Sequence, residues 1–269
     1  MKIIENYLTR NRCYTNGIKI NVRGLMLHSV GCPQPSAAVF MRNWNTPSVS
    51  VCVHGFIEPD GEVYQCLPWN VKGWHGGGSS NSTHIGVEMT EPASIKYTGG
   101  ANFVDNDPER TKEHIKGTYK TAVELFAYLC KEYGLNPALD IISHREGHAL
   151  GIASNHGDPE HLWSKYPELG YSMDSFRADV QKKMNNSEEE IDMDINEARK
   201  KLTSCADTGD TPSKWAREAA EYCKRKGIFN GDGAGNYGWQ QPITREAVAQ
   251  IIYNALEQAG VLNSIPDKR

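Results

Sequence analysis

Residues 108–134, PERTKEHIKGTYKTAVELFAYLCKEYG, place Ile115, Tyr119, Ala122, Phe126, Leu129, Cys130 and Tyr133 at intervals of three and four. That spacing gathers them on one side of an α-helix and gives it a single buried face, with Gly134 as the stop. Short β-branched and apolar runs precede it: RGLMLHSV (23–30), SVSVCVHGFI (48–57), EVYQCLP (62–68) and HIGVEMT (84–90). Each is bounded by Gly, Pro or Asn and is expected to be a strand. PDG at 59–61 is a hairpin-type turn between two of them. PSAAVFMRNW (35–44) is expected to be a short helix, DIISH (140–144) a short strand ending at a histidine, and SMDSFRADVQKKM (172–184) another amphipathic helix. Strands alternating with helices define an α/β chain.

The pattern changes near residue 185. NNSEEEIDMD (185–194) has no helical apolar face and reads as an acidic, solvated linker. A compact piece follows. Trp215, Ala219 and Tyr222 fall on one face of a first helix ending at Gly227. Val248, Ile251, Ile252, Ala255, Leu256 and Ala259 fall on one face of a second, starting near Thr244. The expected division is 1–184, a linker over 185–202, and a small helical module over 203–269. With 269 residues, 39% of them hydrophobic, the chain can bury a core without staples. The net charge of −4 and the lack of a Lys/Arg stripe exclude a nucleic-acid footprint. Seven cysteines at irregular spacing, several inside apolar runs, read as core thiols of a protein made in a reducing cytoplasm. MKIIENYLTRNRCYTNG carries no apolar segment of a secretory signal, and no apolar run is long enough to span a membrane.

HREGHALGIASNHGDP (144–159) concentrates three histidines and an aspartate on a glycine-rich segment. His28 and His144 each end a strand pattern, where α/β sheets collect functional side chains. Two neutral imidazoles, a carboxylate from Asp158 and a fourth position left to water would make a catalytic zinc arrangement. Glu88 is a carboxylate within an apolar strand, suited to carrying protons, and His156 could donate to an oxyanion. Spacing alone leaves a second reading open, in which these are ordinary polar residues at strand ends.

LMLHSVG, SVSVCVHGFIEPDGEVYQCLPWNVKGWHGG, THIGVEMTEP and HREGHALGIASNHGDP occur in the order seen in the type-2 N-acetylmuramoyl-L-alanine amidases. The chain resembles that family over residues 20–182, and its GIASNHGDP variant is similar to clostridial amidases and their phage lysins. The resemblance implies a mixed central sheet flanked by helices, with Zn²⁺ held by His28, His144 and Asp158 and with Glu88 as general base. Where the family often has a lysine two residues before the third ligand, this chain has His156, which is expected to hold the oxyanion. Where some members have a tyrosine before the histidine of the second strand, this chain has Val53 before His54. Trp74 and His75 match a groove-wall motif, and His54 is expected on the pocket floor. The implied reaction cuts the amide between N-acetylmuramic acid and L-alanine in peptidoglycan. The alternative is a non-catalytic peptidoglycan-binding protein on the same fold, but an intact Asp158 argues for catalysis. His148 and His161 are expected to be solvated or capping, and His84 to be at the surface.

The C-terminal piece resembles one S-layer homology module through WAxEAA, GIFNGDG and ITREAVA. Such a module implies binding to a secondary wall polymer, or association between chains, and Arg245 either meets an anionic polymer or holds a helix start. The expected setting is the cell wall, reached from the cytoplasm through a holin pore or by other export.

Overall fold

The computed structural model describes residues 1–185, 211–232, 234–239, 243 and 245–261. Chain contacts divide it into two compact units, Met1–Ser187 and Glu188–Arg269. Most of the acidic segment expected as a linker lies outside the described residues.

In the first unit the strands are β1 (Lys2–Glu5), β2 (Gly24–Ser29), β3 (Gly55–Ile57), β4 (Glu62–Gln65), β5 (His84–Met89), β6 (Ile95–Gly99), β7 (Asn102–Asp105) and β8 (Ile141–Ser143). Six of them form one sheet in the order β1-β4-β3-β5-β2-β8. β3, β5, β2 and β8 run parallel, and β4 joins β3 antiparallel through the PDG turn. The sheet is therefore mixed. β2 lies between β5 and β8, and every one of its residues is buried. That is why LMLHS is continuously apolar up to its histidine.

The helices of this unit are α1 (Arg12–Asn16), α2 (Ala37–Trp44), α3 (Pro108–Tyr133), α4 (Pro137–Asp140), α5 (His144–Ala149), α6 (Glu160–Trp163) and α7 over 173–185. α3 starts at Asp107, whose side chain accepts the Arg110 N–H, and stops at Gly134 in the left-handed conformation. Six of the seven residues read as its apolar face are buried, while Tyr133 packs at the margin. They meet β3, β4, β5 and the Phe176 side of α7, with the Phe126 and Phe176 rings edge-to-face at 5.2 Å.

The run 48–57 is a strand only at its end. Cys52 instead pairs with Trp74 in an isolated bridge, accepting its N–H at 2.8 Å, and so leaves the sheet before β3. The β6–β7 hairpin was not expected. It forms its own two-stranded ladder, separate from the main sheet.

In the second unit α8 (Arg217–Arg225) and α9 (Arg245–Gln258) flank a Gly/Asp loop. Its packing corrects the sequence pattern. Trp215 precedes α8 and is 89% exposed, Tyr222 is half exposed, and Ala220 is the buried position. α9 buries no residue fully. Among the described residues no helix is long and apolar enough to cross a membrane.

Candidate metal centre

Parallel pairing delivers His28, Glu88 and His144 to one end of the sheet. His28 is opposite Glu88 in the β2–β5 register, and β8 runs beside β2 with His144 immediately after it. His144 opens α5 rather than closing the strand. Ser143 caps that helix with Glu146 in a reciprocal capping box. Glu146 is held in turn by Arg177 of α7 at 3.0 and 3.1 Å. The ligand-bearing turn is thus fixed from two sides.

Asp158 arrives on the loop after α5. That loop packs against the glycine run after His75: Ser154 N donates to Gly76 O at 2.8 Å and Ser80 N to Ile152 O at 3.1 Å. A Cβ on Gly78 would lie 2.4 Å from the Ile152 carbonyl, so a side chain there would push the Asp158 loop away. Gly86 on β5 is required for a similar reason, because its Cβ would fall 2.2 Å from the His75 ring.

Three acceptor atoms converge. His28 Nδ1 is 3.2 Å from Asp158 Oδ2 and 3.0 Å from His144 Nδ1, and His144 Nδ1 is 3.6 Å from Asp158 Oδ1. A tetrahedral ion with bonds of about 2.0–2.2 Å leaves its ligand atoms about 3.3–3.6 Å apart. The two histidine nitrogens stand close to such an edge, each with an Asp158 oxygen near that distance, and among the described residues this triad is the cluster of His, Cys, Asp or Glu able to hold a metal ion.

The remaining ring nitrogens fix the tautomers. His75 Nε2–H donates to His84 O at 3.1 Å, so its Nδ1 accepts from His28 Nε2–H at 3.0 Å. His28 Nδ1 is left as a lone pair. His144 Nε2–H donates to Ser154 Oγ at 3.2 Å, which leaves its Nδ1 as a lone pair too. Burial pushes the His144 pKa down to about 4, so the ring is neutral, as a ligand must be. Buried lone pairs aimed at one another repel unless a cation lies between them; in the metal-free site a proton takes that part, for burial lowers the His28 pKa but the Asp158 hydrogen bond and the Glu88 and Asp158 charges raise it overall. The donor set therefore fits a divalent metal.

A cavity of about 550 Å³ opens over the triad. Glu88 lines it, and its Oε2 is buried without a hydrogen-bond partner. In the metal-free site burial raises the Glu88 pKa from 4.5 to about 8, against the pull of His28 and with Asp158 and Glu91 adding to the rise, and a divalent cation at the triad would favour the ionised form. His156 also lines the cavity, its ring centroid 4.4 Å from that of His144 and tilted by 46°. Its Nδ1 is 3.1 Å from Ser154 Oγ. The same hydroxyl lies 3.3 Å from Gly76 O, to which it donates.

Other expected residues are placed differently. His54 is fully buried, with Nε2 donating to Val71 O at 2.8 Å and Nδ1 accepting from Gly86 N at 3.0 Å. Both nitrogens are spent, and it does not line the cavity. Trp74 is 49% exposed and also lies outside it. His75 reaches the cavity, but its work is to orient His28. His161 is neither solvated nor capping: its side chain is 9% exposed and lines the cavity. Ser154 and Glu91 lie inside the segments HREGHALGIASNHGDP and THIGVEMTEP but are not singled out there, and Tyr97 lies outside them.

The chain belongs to the N-acetylmuramoyl-L-alanine amidase family, whose model matches residues 19–161. An S-layer homology domain model matches residues 206–249. N-acetylmuramoyl-L-alanine amidase XlyA of Bacillus subtilis (strain 168) is 34% identical over 91 residues, which is 32% of this chain and 29% of that protein. The match thus spans less than a third of the relative's length. Among solved structures, the catalytic domain of XlyA is similar at 21% identity and TM-score 0.47, covering 67% of this chain and 99% of that one. Staphylococcus aureus hydrolase AmiA in complex with its ligand gives 20% identity and TM-score 0.49, over 68% and 83% of the two chains. N-acetylmuramoyl-L-alanine amidase LysC from Clostridium intestinale URNW gives 19% and 0.35, over 61% and 97%.

Proposed function

We propose that this chain is a zinc-dependent N-acetylmuramoyl-L-alanine amidase of endolysin or autolysin type, which hydrolyses the amide between the lactyl group of N-acetylmuramic acid and L-alanine. The observation that carries the reading is the convergence of His28, His144 and Asp158, the two imidazoles with their tautomers fixed from behind, beside an unpartnered carboxylate oxygen on the adjoining strand. His28, His144 and Asp158 would hold the ion, which would supply a Lewis acid for the scissile carbonyl and make water a stronger acid there.

The protein residues do the rest. Glu88 Oε2 accepts a proton from the attacking water and passes it to the departing L-alanine nitrogen. His156 donates to the oxygen on which negative charge develops. Ser154 keeps His144 and His156 in matching orientations. His75 keeps His28 facing the ion.

The S-layer homology match supports a second element of the reading: residues 203–269 bind a secondary wall polymer and keep the enzyme at the cell wall, while 1–184 carry catalysis. Digestion of a soluble muramoyl peptide, read by mass spectrometry, tests the activity. Release of an intact stem peptide with a free L-alanine amine is expected, and tight binding without cleavage in zinc-replete buffer would favour a peptidoglycan-binding protein instead.

A further inference from the structure

The β6–β7 hairpin walls the cavity beside the loop that carries Asp158, with Tyr97, Gly100 and Ala101 lining it and Ala101 Cβ 3.9 Å from where a Cβ on Gly157 would sit. Its base is anchored by Ile95 and Phe103, which belong to the main core. No backbone ladder joins it to the six-stranded sheet, so side chains set where this wall stands.

Away from the cavity, Asp105 at the end of β7 accepts from Thr111 of α3 and from Tyr166; at the cavity a second polar chain makes the connection. Glu91, fully buried just beyond β5, accepts the Gly31 N–H at 3.0 Å on Oε1 and the Tyr97 O–H at 2.7 Å on Oε2. His161 Nε2 lies 2.6 Å from the same Tyr97 oxygen and 3.7 Å from Glu91 Oε1. Gly31 follows the strand bearing His28, Glu91 follows the strand bearing Glu88, and His161 stands on α6, just after Asp158. Through Glu91 and His161 the Tyr97 hydroxyl therefore ties the hairpin to three of the segments that carry the site, those of His28, Glu88 and Asp158. Both of its hydrogen-bonding roles are used internally, so what it presents to a substrate is a ring held at a fixed place.

Resting on the amidase reading, we infer that Tyr97 is a positioning residue for the substrate: its hydroxyl, through Glu91 and His161, sets the distance between the hairpin wall and the metal-bearing face, and so governs how tightly the muramoyl peptide is held. It takes no part in the proton transfers. Removing the hydroxyl loosens the wall and leaves the triad, Glu88 and His156 in place.

The test uses the zinc-loaded full chain and a soluble muramoyl tripeptide. Tyr97→Phe is expected to raise KM about fivefold or more, with kcat within about twofold and metal content unchanged, the size of effect that one lost internal hydrogen bond produces. Calorimetric Kd for the same peptide, measured in a Glu88→Gln background with and without Tyr97→Phe, should shift by the same factor. This second readout needs no turnover, so failure of the amidase reading is told apart from failure of this one. His161→Gln, which puts an amide near the imidazole Nε2, should keep Kd close to the parent value. His161→Ala should copy Tyr97→Phe, and the pair together should be no worse than either alone. An unchanged Kd in Tyr97→Phe overturns the inference. So does a fall in kcat accompanied by loss of metal, or full additivity of the Tyr97 and His161 effects.

Discussion

Glu88→Gln separates the two properties that the site gives this carboxylate. The substitution keeps shape and removes the ability to ionise. Glu88 lies opposite His28 across the parallel pair, with Oε2 buried and unpartnered. As general base it is expected to contribute about 10²–10⁴-fold in kcat, or about 2.7–5.5 kcal/mol of barrier. Zinc content should stay near one per chain, because Glu88 is not part of the triad. The same substitution should change the stability of the metal-free chain in a pH-dependent way. Burial raises the folded-state pKa from 4.5 to about 8. Between those values the folded chain retains a proton that the unfolded chain has released. Wild-type stability therefore falls as pH rises through that window, by about 1.4 kcal/mol per unit for this one group and on the order of a few kcal/mol across it. Gln has no proton to lose. Urea unfolding in chelator should show the variant gaining on the wild type from pH 4.5 toward pH 8, beyond any constant offset from burying the amide. Parallel curves across the window would refute the burial argument. A kcat within a few-fold of wild type would refute the assignment of the base.

Three further outcomes follow from the same geometry. Ser154→Ala removes the hydroxyl between His144 and His156 and should cost about 10–100-fold in zinc affinity or turnover, read by competitive chelation and by kcat. His156→Lys replaces an aromatic donor with an ammonium one and should retain partial activity with a shifted pH–rate profile, while complete loss would tell against a simple donor role. Phe126→Ala, far from the site but fully buried against Phe176, should cost about 3–5 kcal/mol in urea unfolding and leave zinc stoichiometry unchanged.

The parts of this protein that could be read from sequence are those where one segment carries its own instruction. The face of α3 is written in its three-and-four spacing, and the PDG turn sets β3 against β4. His28 is legible because a continuously apolar strand ends on it. The N-terminal ligand strand and the Glu88 strand were recognisable, but their register, which brings Glu88 opposite His28, comes from pairing across the sheet. Tyr97 and His161 lie 64 residues apart and acquire their role only when they meet. His54 looked like a pocket residue, but a backbone carbonyl and a backbone N–H consume both its nitrogens. The hairpin over 95–105 did leave a signal, an apolar alternation interrupted by two glycines, and its effect on the cavity is visible only in the fold. In the second unit the helix starts after Trp215, so the spacing that seemed to bury Trp215 and Tyr222 buries Ala220 instead.

The central claim is a single divalent ion held by His28 Nδ1, His144 Nδ1 and a carboxylate oxygen of Asp158. Anomalous diffraction at the zinc edge, from crystals grown with zinc, tests it most directly. One strong peak about 2.0–2.2 Å from those three atoms, with solvent at a fourth position, is the expected result. A peak at other residues, or none with the three side chains fully ordered and turned apart, would contradict it.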